Sequence, residues 1–436
     1  MDIQRHGLTR TQEDAVRGCV RRIQEGERKT LLFGFAGTGK TTIARFVAED
    51  LGGNVVFATV TNKAVSVLRD NGCAPAYTIK SLFFTPIGEV IDKEGNRHPV
   101  FDKRLERFQE EHGRVSAIIL DESSMVDQED AQVILSAKIP VLAIGDPFQL
   151  QPVEGKPYFT LGNPHFMLEE VKRHDSKILE LATDIRLNGV MAVRKRQYRG
   201  IVVPSLRDYY HRGGSFGNFD QVLVGRHTTR WQKNLQIRDW HGFDSDDVSR
   251  GDLIIGMDSN KNRGLINGQH YNVIDVRQQS DYGKGQGYGT GKTFIEILLC
   301  CDCRLFIGGA PYSWSRRCPE CQWSPDWVQT WPQGFQSLAV EDELKKKLSF
   351  FSRQRAFTAT FGYAITVHKS QGSEWNSVLV VNENWCWKQS GEDANWLYTA
   401  VTRAREKLVV IPGPNRRQLD EWAVNRFGST DFFGGR

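Results

Sequence analysis

Short, continuous apolar runs separated by glycine and charged clusters set the rhythm of this chain. Leu31–Phe33, Val55–Ala58 and the stretch IPVLAIG from Ile139 are unbroken rather than alternating, and Val115–Leu120 is interrupted only at Ser116. Such runs predict strands covered on both faces, as in a parallel sheet. After the first run, Ile43, Phe46 and Val47 fall on one face of a predicted helix. Two later runs, SVLVV and KLVVI, predict a second α/β core. Ahead of those two runs, GDLIIGMDSNKNRGLINGQHYNVIDV has short apolar pieces and turn residues, an all-β pattern. EVIDKEGNRHPV reads as a hairpin with Glu94-Gly95-Asn96 in its turn.

Composition narrows the class without choosing a function. The 436 residues, 39% hydrophobic and 25% charged, suffice for roughly two to four domains. No apolar run reaches the about 18 residues of a spanning helix. The start MDIQRHGLTRTQEDAV lacks an apolar signal core. A reducing, cytoplasmic setting is therefore expected. A net charge of +5 tolerates a polyanionic partner without requiring one.

The chemistry begins in KTLLFGFAGTGKTTIARFVAED, where strand, glycine loop and helix follow in order. Gly34-x4-Gly39-Lys40-Thr41 is the full phosphate-loop pattern. Main-chain N–H groups of such a loop, including those of Gly37, Thr38, Gly39 and Thr42, converge on phosphate oxygens. Lys40 adds a charge at the β and γ phosphates, and Thr41 a hydroxyl for Mg²⁺. VSAIILDESSM delivers Asp121 and Glu122 at the carboxyl end of a buried strand, where ligands sit in open α/β sheets. Asp121 is the candidate Mg²⁺ holder and Glu122 the residue that orients or deprotonates water. Gln149, in IPVLAIGDPFQLQPV, is a candidate γ-phosphate sensor, although Asp146-Pro147 also reads as a plain turn.

These stretches resemble the motifs of superfamily-one helicases, most closely the phage Dda-type and RecD-like members. GFAGTGKTT, DESSM and GDPFQLQPV resemble the first three motifs; ITVHKSQGSEWNSVLVV and LYTAVTRAREKLVVI resemble the fifth and sixth. The resemblance implies an ATP-dependent helicase moving 5′ to 3′ on single-stranded DNA, with two RecA-like cores. It implies Gln12, in LTRTQEDAV, at the adenine, Gln371 and Gly372 on the nucleotide side, and Arg403 and Arg173 reaching the γ-phosphate. Arg405 competes with Arg403 for that role.

On the same footing, Thr59, Thr61, Asn62, Lys63, Thr78, Lys80 and Ser81 become nucleic-acid contacts of the first core. Thr366, His368 and Lys369 are those of the second. Each threonine or serine also reads as a helix cap, and His368 as a structural histidine. Phe101 or His98 of the hairpin would stack on a parting base pair, the hairpin acting as a pin.

The expected organisation is a first motor domain of residues 1–84 and 114–190, a pin insertion of 85–113, a second motor domain of 191–250 and 350–436, and an SH3-like β insertion of 251–349. Single-stranded and forked DNA, and replication or recombination proteins, are the implied partners. A functional monomer in a bacterial or phage-infected cell is the implied setting. An RNA or ribonucleoprotein motor, or a zinc-dependent nucleic-acid adaptor with an ATP switch, are the alternatives.

Five of the eight cysteines lie between Cys300 and Cys321. Cys300-x2-Cys303, fourteen residues, then Cys318-x2-Cys321 is close to four-thiolate zinc spacing. Zn²⁺ would supply folding energy that so polar a segment lacks. Cys301 is a competitor for the first pair. Trp314, Arg316, Arg317 and Trp323 are candidates for a nucleic-acid or partner surface.

Overall fold

The computed structural model describes residues 7–91, 97–103, 105–152, 155–171, 176–243, 247–259, 265–278, 295–301, 326–330, 358–383 and 392–427. Along the chain come β1 (Lys29–Gly34), β2 (Val55–Thr59) and β3 (Ala76–Thr78), then β4 (Phe84–Ile91) and β5 (Arg97–Lys103). β6 (Ala117–Leu120), β7 (Val141–Gly145) and β8 (Phe166–Leu168) follow. All but β4 and β5 form one six-stranded sheet in the order β3-β2-β6-β7-β1-β8, and every pairing in it is parallel.

Successive residues of these strands feed opposite faces. Leu31, Phe33, Val56 and Ala58 join one core, while Leu32, Val55 and Phe57 join the other. Side chains alternate along a strand, so a sheet covered on both faces needs every position apolar. The continuous runs have that physical origin.

β4 and β5 pair antiparallel from Phe84↔Lys103 to Ile91↔Arg97, a hairpin standing apart from the sheet. Ile87 and Val90 are 62% and 55% exposed on it.

The second half holds β9 (Gln221–Val224), β10 (Leu253–Gly256), β11 (His270–Gln278), β12 (Ile295–Cys301), β13 (Asp326–Thr330) and β14 (Ala359–Phe361). β15 (Ala364–Thr366), β16 (Trp375–Asn382) and β17 (Ala404–Pro412) complete it. β15-β9-β16-β17 is a four-stranded parallel sheet, so SVLVV and KLVVI do form a second α/β core. β13-β12-β11-β10-β14 is an antiparallel sheet of five strands. Its order is linear among the described residues, with no pairing between β13 and β14, so it is not seen as a closed barrel. Its edge strand β14 lies beyond residue 349, only two residues before β15.

The insertion is fastened to the second core by a buried ion pair. Arg238, on the helix His227–Trp240, donates from Nε to Asp252 Oδ1 at 2.8 Å and from Nη2 to Oδ2 at 3.0 Å. Tyr363 Oη and Ser249 N also donate to this carboxylate. Among the described residues, no helix is long and apolar enough to cross a membrane.

Candidate nucleotide cleft and nucleic-acid face

The phosphate loop is shaped by close contacts. A Cβ on Gly34 would lie 2.6 Å from Thr38 Oγ1 and 2.9 Å from Leu168 Cβ, so no side chain fits. Gly39 takes φ 82 as the residue before the helix Lys40–Leu51, a left-handed backbone that costs glycine little. Gly37 is also left-handed. Thr38 Oγ1 donates to Phe35 O at 2.8 Å, pinning the loop across itself. Lys40 Nζ donates to Gly34 O and Phe35 O at 2.8 and 3.0 Å. The loop's own carbonyls thus satisfy the ammonium. Thr42 lies in the first turn of the helix.

Gln12 is buried beneath this loop. Its Nε2 donates to Thr38 O at 2.9 Å, while Oε1 accepts from Thr9 N at 2.9 Å in a capping box. The residue expected at the adenine therefore braces the loop and the start of its own helix.

Asp121 and Glu122 follow β6. Burial and then the neighbouring Glu122 carboxylate push the Asp121 carboxyl up to about 7, against the opposing charge of Lys40. Glu122 takes φ 53, a left-handed conformation costing a non-glycine residue roughly 1–3 kcal/mol. Its N–H donates to Asp121 Oδ1 at 2.9 Å. Thr41 and Asp121 offer hard oxygen donors, the type Mg²⁺ prefers. A cation there would return the raised Asp121 carboxyl to its charged form.

These groups open onto a cleft of about 810 Å³. Thr41, Asp121 and Glu122 line one wall; Gly372, Ser373, Arg403 and Arg405 line another. Arg403 is 4% exposed. Its Nε donates to Thr399 O at 3.0 Å and its Nη1 to Ser373 O at 3.2 Å. Arg405 instead pairs with Glu374 at 3.0 Å, with about half of its side chain exposed.

Gly372 takes φ 76 against Ala64 Cβ of the first core. Gln371 is buried and donates to Leu150 O at 3.4 Å. Gln149 is buried too, but it is not among the cleft-lining residues. Arg173 lies outside the described residues.

Two lining residues come from the β insertion, Gln269 and His270, and the sequence offered no local signal for them. Burial pushes the His270 ring down to about 4, and the charge of Lys63 adds to the effect. A neutral ring bonded through Nε2 to Gly362 O at 3.1 Å carries its proton there. His270 is a wall rather than a proton acceptor for the cleft.

The expected nucleic-acid residues fall in different settings. Thr61 and Thr78 are the N-caps of helices Asn62–Asp70 and Ile79–Phe83, accepting from Ala64 N and Ser81 N. Ser81 Oγ donates to Thr78 O, while Thr59 and Thr366 are buried at strand ends. Asn62, Lys63 and Lys369 reach the insertion: Asn62 to Ser259, Lys63 to Gln269 and Lys369 to Asn267, at 3.0, 3.0 and 2.9 Å. Lys80 pairs with Asp130 at 2.7 Å. His368 opens the short turn His368–Ser370. Phe101, 36% exposed, meets Phe84 edge-on near the base of the hairpin.

Cys303, Cys318 and Cys321 lie outside the described residues, as do Trp314, Arg316, Arg317 and Trp323; Cys300 is described only as backbone of β12. Among the described residues, no group of three or more His, Cys, Asp or Glu is placed to hold a metal ion. β12 and β13 pair up to Leu299↔Asp326. The segment containing the cysteines therefore leaves and returns at one end of the insertion's sheet.

A family model described as AAA domain matches residues 7–203, and one described as UvrD-like helicase C-terminal domain matches 361–411. The ATP-dependent DNA helicase dda of Enterobacteria phage T4 is 30% identical over 194 residues, 41% of this chain and 42% of that protein. An uncharacterized protein of Methanocaldococcus jannaschii is 25% identical over 442 residues, 88% of this chain and 36% of that one. The chain thus spans about two fifths of the length of these curated relatives.

Among solved structures, two coordinating Pif1 helicases at forked double-stranded DNA give a TM-score of 0.58 at 16% identity, covering 98% of this chain and 99% of that one. Bacteroides Pif1 bound to single-stranded DNA gives 0.55 at 17% identity, covering 96% of each chain. Pif1 from Candida albicans gives 0.52 at 16%, covering 96% of this chain and 98% of the other. These likenesses establish the fold.

Proposed function

We propose that this chain is a superfamily-one helicase of the Dda and Pif1 type, a reading supported by the matched family models and the phage relative, and that it hydrolyses ATP between its two cores. It uses that cycle to move 5′ to 3′ along single-stranded DNA and to part a duplex ahead of it. The observation that carries the reading is one cleft shared by Thr41, Asp121 and Glu122 on one side and Arg403 on the other.

Lys40 would exchange the Gly34 and Phe35 carbonyls for phosphate oxygens, a charge-assisted contact. Glu122 orients the attacking water and receives its proton. Arg403 approaches the transferring phosphoryl group from the opposite core, so catalysis requires the cleft to be closed. Mg²⁺ bound at Thr41 and Asp121 would neutralise phosphate charge. Loss of the γ-phosphate removes what Arg403 and Lys40 share, and the cores separate.

The single strand would cross the seam where Asn62, Lys63 and Lys369 meet the insertion. The hairpin β4–β5, with Ile87, Val90 and Phe101 exposed, would serve as the wedge at the fork.

Strand displacement from 5′-tailed and 3′-tailed duplexes tests direction. Wild-type protein should unwind the 5′-tailed substrate and leave the 3′-tailed one intact. Unwinding from the 3′ tail alone rejects the polarity. Stronger ATPase stimulation by RNA than by DNA oligonucleotides rejects the DNA substrate.

The cysteine segment is proposed as a zinc staple held at the end of the β12–β13 hairpin. The purified chain should contain one zinc per molecule by elemental analysis, and Cys318→Ser should reduce it below half. Iron in place of zinc, or an unchanged zinc content in Cys318→Ser, would refute this assignment.

A further inference from the structure

We infer that Tyr398 positions Arg403 against the phosphate loop, an inference that rests on the ATPase reading above. Tyr398 sits on the helix Glu392–Val401 of the second core and is 2% exposed. Its hydroxyl donates to Asp146 Oδ2 at 2.8 Å and accepts from Ala36 N at 3.2 Å. Asp146 follows β7 and Ala36 lies in the phosphate loop after β1. One phenol therefore joins two strand ends of the first core to a helix of the second.

The next residue extends the junction. Thr399 Oγ1 accepts from Leu150 N at 2.9 Å, and its carbonyl accepts from Arg403 Nε at 3.0 Å. Tyr398 is thus little more than one turn from the arginine, and the two are linked through a single main-chain unit. The phenol is also confined on its flanks. Phe148 lies edge-on to Tyr398 at 6.3 Å, Phe35 is 5.9 Å from Phe148, and the Arg186 guanidinium covers Phe35 at 3.4 Å.

A core tyrosine with only a packing role needs one partner for its hydroxyl. This one has two, both in the opposite core and one of them in the phosphate loop itself. The buried Asp146 carboxylate depends on that donor as well, since its other oxygen is occupied by Phe148 N at 3.0 Å. Movement of the phosphate loop on binding or losing nucleotide reaches Arg403 through this hydroxyl.

Tyr398→Phe removes the hydroxyl and keeps the ring, and a thermal melt confirms that the variant is folded. Single-turnover ATP hydrolysis with saturating DNA should slow about tenfold, the loss of one to two buried hydrogen bonds. Affinity for ADP by titration should change less than about threefold, because the amides at the start of the helix Lys40–Leu51 are untouched.

In an Arg403→Ala background, Tyr398→Phe should add less than about a twofold further loss, the signature of a residue acting through another. Thr399→Val removes the neighbouring Leu150 bond and leaves the phosphate loop alone, so its loss should be the smaller. Additive losses with Arg403→Ala, or an equal loss in Thr399→Val, would overturn the inference for an active enzyme. A wild-type protein that turns over no ATP would overturn both this and the reading it rests on.

Discussion

On the proposed mechanism, Arg403→Ala should lower DNA-stimulated ATP turnover by roughly 10³-fold, whereas Arg405→Ala should stay within about threefold. The two arginines are two residues apart and line the same cleft, so sequence alone leaves them as rivals. Their surroundings separate them. Arg403 is held by two neutral carbonyls, those of Thr399 and Ser373, which fix its direction without cancelling its charge. Arg405 has a carboxylate partner in Glu374 and is half exposed, so its charge is already answered and screened.

A fully charged guanidinium in a sheltered cleft stabilises a developing negative charge far better than one in water. ADP binding should be nearly unchanged in Arg403→Ala, since an arginine finger acts on the transferring group. Steady-state turnover with an ADP titration checks both halves. A larger loss in Arg405→Ala than in Arg403→Ala would reverse the assignment.

The second large effect concerns stability. Asp252→Ala should destabilise the second half of the molecule by about 3–5 kcal/mol, the usual result of stranding one member of a buried ion pair. The side chains of Arg238 and Asp252 are 1% and 0% exposed. The guanidinium also covers the Phe361 ring at 4.2 Å, so it cannot swing into water when its partner is lost. The pair ties the helix His227–Trp240 to the start of β10, and its loss should loosen insertion and core together.

Replacing both partners, as Arg238→Met with Asp252→Leu, should cost less than Asp252→Ala alone, because no charge is left buried. Urea unfolding of the three proteins measures this directly. A double variant less stable than the single one would mean that the pair itself, and not the stranded charge, is the larger contribution.

The phosphate loop, Asp121 and Glu122 were legible because their chemistry is carried by adjacent residues: an apolar strand, then glycines or acids at its carboxyl end. Thr61 and Thr78 show where local sequence is ambiguous. The same hydroxyl next to the same helix start suits a phosphate contact or an N-cap, and the structure has both as caps. Gln12 was legible as important to the nucleotide site but not in its role, since its two bonds depend on where Thr38 comes to rest.

The partners of Lys63 and Lys369 could not be read at all. Gln269 is 206 residues from Lys63, and Asn267 is 102 from Lys369. The insertion, which had read as a separate module, supplies one side of the cleft through His270. Tyr398 lies inside LYTAVTRAR, but its partners Asp146 and Ala36 are 252 and 362 residues away along the chain.

What the sequence by itself determined is the buried strands and the phosphate-loop pattern of the first core, because strand burial and a strand–glycine–helix order are written in contiguous residues. Tertiary structure alone decided how each of the two arginines is held in the cleft, what the lysines hold, and how one phenol joins the halves. Those are relations between charges and hydrogen-bonding groups far apart along the chain, and only folding sets the distances on which such interactions depend.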